Sequence, residues 1–207
     1  SLPESPAFEE KRAQHIKVPL WEVIKENPKG MLGVIGIACV CGTTFYMQLV
    51  FINAYLSQVI RMDLNQLLGI MTPLIAVKLF VLQLMGKWAD RWNPYKLMLT
   101  GALLLMLAAF PIFFLLNLAT FPAILFVHLL ILVLNSAFVA PSHVVMMNNF
   151  QAKYRYSGVA FSFSIGMTLF GGTTPMVFMG LINWTNNRYA PAALLFVYAL
   201  FGFIAVV

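Results

Sequence analysis

Lys78 stands alone in an apolar run, Leu67 to Met85, that is otherwise broken only by Thr72 and Gln83. A run of that length can cross a membrane as a helix. Lys78 lies eight residues before Gly86, which at about 1.5 Å per residue puts it roughly 12 Å from the helix end. That is near mid-depth, where an ammonium costs several kcal/mol unless it meets a partner or water, and such residues mark solute or ion pathways. A lone cation there favours an anionic group such as a carboxylate. Other polar side chains in apolar segments could join it: Gln48, Thr44 and Asn135 as hydrogen-bond donors, and His128. Each has a plainer alternative. His128 can bind a neighbouring carbonyl, Asn135 can tie two helices together, and Lys78 can snorkel toward the inner surface.

Composition sets the frame for these residues. The chain is 61% hydrophobic and 10% charged, with mean hydropathy +0.85, whereas a soluble domain carries about 25% charged residues. This is the composition of an integral membrane protein. The net charge of +6 does not indicate nucleic acid, because the basic residues flank apolar segments rather than forming one patch. Enzyme chemistry finds no support: the apolar segments contain no nucleophile elbow and no paired carboxylates, and His128 and His143 are too far apart for a zinc motif. Cys39 and Cys41 sit two apart on one helix, point to different faces, and read as small packing residues. The first residues do not form a signal peptide.

Six apolar segments follow a polar opening, Ser1 to about Gly30, and are expected at about 31–56, 66–85, 95–116, 122–147, 157–182 and 190–207. Pro94, Pro122 and Pro191 fall near helix starts, where a missing N–H is harmless. Placing the opening in the cytoplasm collects Lys11, Arg12, Lys17, Lys25, Lys29, Lys87, Arg91, Lys96, Lys153 and Arg155 on that side, against Arg61 and Arg188 on the other. That bias predicts both chain ends inside. Pro19 to Lys25 reads as a turn or two of amphipathic helix on the inner surface, with Trp21 at the interface, or as a solvated turn.

The segments differ in polarity. Thr44, Gln48 and Tyr55 share a face of the first. The second has Lys78 and a Thr72–Pro73 kink site. In the fourth, His128, Asn135 and Ser142 recur every seven residues. Ser164, Thr168, Gly171 and Pro175 lie on one face of the fifth. Gly158, Ser162 and Gly166 form a small-residue packing face on another, and Gly171, Gly172 and Pro175 complete the packing and hinge set. The third and sixth have little besides Thr100 and Tyr198 and read as lipid-facing scaffold, leaving the other four to line a cavity.

Gly86-Lys87-Trp88-Ala89-Asp90-Arg91-Trp92-Asn93-Pro94-Tyr95-Lys96 resembles the Gly-x-x-x-Asp-Arg-x-Gly-Arg-Lys loop signature of the major facilitator superfamily. Asn93 and Pro94-Tyr95 depart from it as the weaker second copy does. Pro3-Glu4-Ser5-Pro6-Ala7-Phe8, Tyr154-Arg155-Tyr156-Ser157-Gly158-Val159-Ala160 and Phe170-Gly171-Gly172-Thr173-Thr174-Pro175 are similar to elements of its metabolite:proton symporters, carriers of proline, betaine, α-ketoglutarate, citrate or shikimate. The resemblance implies an all-α membrane protein, with six transmembrane helices forming the C-terminal bundle (helices 7 to 12) of a major facilitator fold. Ser1 to Gly30 would be the central cytoplasmic loop.

The resemblance also implies the chemistry expected of the chain. It would be half of a secondary transporter in the bacterial inner membrane, moving a small carboxylate-bearing solute by alternating access. The proton gradient would couple the transport, with no cofactor. Gly86, Asp90, Arg91, Lys96 and Arg155 would form a conformational latch, Asp90 accepting from a helix N-terminus or a basic residue in one access state. All seven acidic residues, Glu4, Glu9, Glu10, Glu22, Glu26, Asp63 and Asp90, lie outside the apolar segments. Only His128, His143 and Lys78 could titrate inside the membrane, so the main coupling carboxylate is expected in an N-terminal six-helix partner. The alternatives are a six-helix subunit that dimerises into a carrier, and a non-transporting scaffold or remnant.

Overall fold

Asparagine followed by proline opens two of the long helices. Asn27 Oδ1 accepts from Gly30 N at 3.0 Å and Asn93 Oδ1 from Tyr95 N at 2.9 Å, each satisfying a backbone donor that has no partner in the first turn. Pro28 and Pro94 then enter with φ already suited to the helix. The computed structural model describes residues 20–62 and 64–207. A short helix α1 (Leu20–Glu26) precedes six rods: α2 (Pro28–Gln58), α3 (Leu64–Arg91), α4 (Pro94–Asn117), α5 (Phe121–Asn148), α6 (Arg155–Thr185) and α7 (Ala190–Val206). No strand occurs among the described residues. The rods α2, α4, α5 and α6 are long and apolar enough to cross a membrane, and α7 is shorter and apolar. The chain is a multi-pass membrane protein. Pro3 to Phe8, the other residues before Leu20, and Asp63 lie outside the described residues.

The helix ends reach past the apolar segments, because capping and backbone hydrogen bonding set the ends while hydropathy marks only the lipid-depth portion. At α3 this matters: Gly86 to Arg91, matched above to a loop signature, form its last helical turns.

Two rods make the centre. α2 packs on α5, α6 and α7, and α5 also packs on α3 and α4. One layer therefore runs α3, α5, α2, α6, and α4 and α7 pair behind it. Cys39 and Cys41 are both buried and free, since α2 has neighbours on several sides. Toward the C-terminal ends of α2, α4 and α6, Phe51, Phe113 and Phe178 meet at centroid distances of 5.2 to 6.3 Å. Beside them Tyr55 Oη donates to Asn117 Oδ1 at 2.7 Å.

α2 and α6 touch backbone to backbone. A Cβ built on Gly42 would lie 2.9 Å from Gly171 Cα, and one on Gly166 would lie 2.5 Å from Ala38 Cβ; only residues without a side chain allow that approach. Gly158, also buried, sits under the Phe150 ring.

The buried register of α6 corrects one sequence expectation. Gly158, Ser162 and Gly166 are buried at spacing four, but the next buried positions are Gly171, Thr174, Phe178 and Ile182. Met167–Gly172 is π-helical, and a π turn holds one more residue than an α turn. That extra residue rotates Gly171 off the face of Ser164 and Thr168, which stay exposed, and onto the face packed against α2. Gly172 remains exposed and Pro175 half-buried. α2 has its own π stretch at Met47–Phe51. Side chains bind carbonyls in both wide turns: Asn53 Nδ2 donates to Leu49 O at 2.7 Å, and Thr173 and Thr174 Oγ1 donate to Leu169 and Phe170 O at 2.5 Å.

Candidate functional site

Lys78 leaves the middle of α3 and reaches across the layer to α2, where its Nζ stands 5.3 Å from the centre of the Phe45 ring. Gln48, Leu49, Leu74 and Ile75 surround the side chain. The ammonium thus rests on an aromatic face on the open side of the layer. Among the described residues no carboxylate pairs with it; Glu26 and Asp90 lie at helix ends. Phe45 is 40% exposed, so the ring face is reachable.

The other four residues expected to bind solute are in the α2–α5 interface. Gln48 Nε2 donates to His128 O at 3.1 Å. Asn135 Nδ2 donates to Thr44 Oγ1 over a short contact, and Thr44 Oγ1 donates to Val40 O at 2.6 Å. His128 Nδ1 lies 2.9 Å from Ile124 O; a carbonyl only accepts, so Nδ1 carries the hydrogen and Nε2 is the bare nitrogen. That Nε2 has no partner among the described residues. Thr44, Gln48, His128 and Asn135 are 1%, 3%, 0% and 3% exposed. Thr44, Asn135 and His128 therefore lie in the seam between α2 and α5 in this conformation, enclosed by the bundle. Gln48 both belongs to the seam and borders Lys78. Ser142, on the same stripe of α5, is also buried.

A larger hollow of about 760 Å³ opens between the N-terminal halves of α3 and α5. Pro73, Leu74, Val77, Phe121, Leu125 and Leu129 line it, side chains with nothing to hold a polar solute.

At the C-terminal end of α3, Gly86, Ala89 and Asp90 face Ala140, Pro141 and Val144 of α5 around a space of about 270 Å³. Asp90, Arg91 and Lys96 are exposed, and Arg155, half-buried, opens α6 with its Nε unpartnered among the described residues. A Cβ on Gly86 would meet nothing within 4 Å among them.

With this geometry in place, comparison with known proteins is informative. Residues 1–172 match the family model of the Major Facilitator Superfamily. The chain belongs to that superfamily. The glycine betaine/proline/ectoine/pipecolic acid transporter OusA of Dickeya dadantii is 30% identical over 99% of this chain and 43% of its own length. The proline/betaine transporter of Escherichia coli K12 is 28% identical over 99% and 43%, and the ectoine/proline transporter ProP of Corynebacterium glutamicum is 25% identical over 92% and 40%. The chain spans less than half the length of these relatives. No solved structure matches it.

For this superfamily member, sequence reasoning missed two features. Phe45 carried no signal, being one aromatic among many in an apolar segment. The second is a fastening at the end of the bundle where α2 begins. Tyr154, buried before α6, donates to the Glu26 carboxylate on α1 over a short contact. Asn27 Nδ2 donates to Asn149 O, at the end of α5, at 2.8 Å. On α1 Val23 faces inward while Trp21 is exposed, with Lys25 Nζ 5.2 Å above its ring.

Proposed function

We propose that this bundle is the C-terminal half of a proton-coupled secondary transporter for a small carboxylate-bearing metabolite or osmolyte. The observation that carries the reading is Lys78. Its ammonium lies at the open side of the layer, over Phe45 and without a carboxylate partner among the described residues, so an incoming carboxylate can bind it without first displacing an ion pair. Gln48, anchored through Nε2 to His128 O, has a second amide hydrogen to offer. The relatives named above support a zwitterionic solute, since they are described as transporters of proline, betaine and ectoine.

Alternating access then requires a second bundle rocking against this one, supplied by an N-terminal six-helix partner that also holds the coupling carboxylate. Both chain ends lie in the cytoplasm of a bacterium, by the distribution of Lys and Arg. Asp90, with Gly86, Arg91, Lys96 and Arg155, forms a latch engaged in one access state.

Uptake of a panel of organic solutes, with and without a pH gradient, tests the function in cells producing the full transporter. Lys78→Met should weaken solute affinity at least about tenfold; an unchanged KM removes Lys78 from the site.

A further inference from the structure

Lys78 Nζ over Phe45 shows what the ring face accepts. An aromatic face attracts cations through its quadrupole, and quaternary ammonium groups, weakly hydrated and with charge spread over their methyls, are favoured ligands of such faces. Phe45 presents this face at 40% exposure, with Tyr46 standing nearly perpendicular beside it at 5.4 Å and 85°. Among the described residues no acidic side chain lies in the middle of a rod. A solute cation at this wall meets no carboxylate from those residues and has the aromatic surface to bind.

We propose that Phe45 is a specificity-determining residue that holds the quaternary ammonium of a short zwitterion whose carboxylate is held by Lys78. In this structure the Lys78 ammonium occupies the ring face. A zwitterion supplies both replacements: its carboxylate draws Nζ away, and its own cation takes the vacated face. Dicarboxylates can engage Lys78 but leave Phe45 uncovered, which selects against them. This inference rests on the transport reading above and goes beyond it in naming the group that recognises the cation.

The test is competition against labelled glycine betaine uptake in cells producing the full transporter, using unlabelled glycine and its mono-, di- and trimethylated forms. In the unaltered protein, affinity should climb with each methyl. Phe45→Leu should flatten the series and weaken the trimethylated member about tenfold, Phe45→Tyr should preserve it, and Phe45→Trp should steepen it. A merely structural role would shift all four solutes together and would not rank the replacements by aromatic character. A methyl series unchanged in Phe45→Leu overturns this inference, and if Lys78→Met still loses uptake the transport reading stands without it. Absence of uptake of every zwitterion by the unaltered protein overturns both.

Discussion

Asn135 and Thr44 show how a polar residue inside a membrane protein can look like a ligand and act as a fastener. Asn135 donates across to Thr44, and Thr44 passes a hydrogen bond to Val40 O. Interhelix hydrogen bonds in membranes contribute about 0.6 kcal/mol on average and up to about 1.7. Asn135→Leu should therefore lower bundle stability by about 1 kcal/mol and leave solute affinity nearly unaltered. Denaturation in detergent, read by tryptophan fluorescence, measures the first effect and uptake kinetics the second. A large rise in KM with intact stability would return Asn135 to the solute site. Lys78 is the opposite case: it touches an exposed ring instead of closing a seam, so its replacement should affect binding more than folding.

At the scale of elements, the α2–α6 contact is set by missing side chains and one extra residue per wide turn. Gly42→Ala would put a methyl 2.9 Å from Gly171 Cα and 3.0 Å from Met167 Sδ. The helices must separate, at a cost of about 1–3 kcal/mol, visible as a lower midpoint of thermal unfolding in detergent. Gly86→Ala is the contrast, since nothing described lies within 4 Å of the added carbon. Its stability should stay within about 0.5 kcal/mol of the parent. If Gly86 belongs to a latch that closes in another access state, uptake should still fall. Normal uptake in Gly86→Ala would count against the latch.

Across the whole molecule, two contacts hold one end of the bundle together: Glu26 with Tyr154, and Asn27 with Asn149. They join the start of α2 to the connection between α5 and α6, so displacement of the chain entering α2 is carried directly to α6. Tyr154→Phe should cost about 1 kcal/mol and increase hydrogen exchange in α1 ahead of the rest of the bundle. The orientation is tested on intact cells. Cys39 and Cys41 are buried and can be replaced by alanine. A cysteine at the exposed position of Tyr156 should then resist an impermeant thiol reagent, while one at exposed Trp184 should react. The reverse pattern would invert the topology.

The amino-acid sequence alone determined that the chain is a multi-pass membrane protein and that one lysine falls inside an apolar run. These are properties of contiguous residues: hydropathy accumulates over a run, and a charge inside the run is visible without knowing any neighbour. Tertiary structure decided who meets whom. Lys78 meets Phe45, Gln48 binds the backbone of His128, and Gly171 turns toward Gly42. Successive residues of an α-helix are about 100° apart, so a single added residue in a π turn carries a side chain to a different face. Which face a neighbouring helix then covers depends on packing between segments far apart in the chain, and local periodicity holds no record of it.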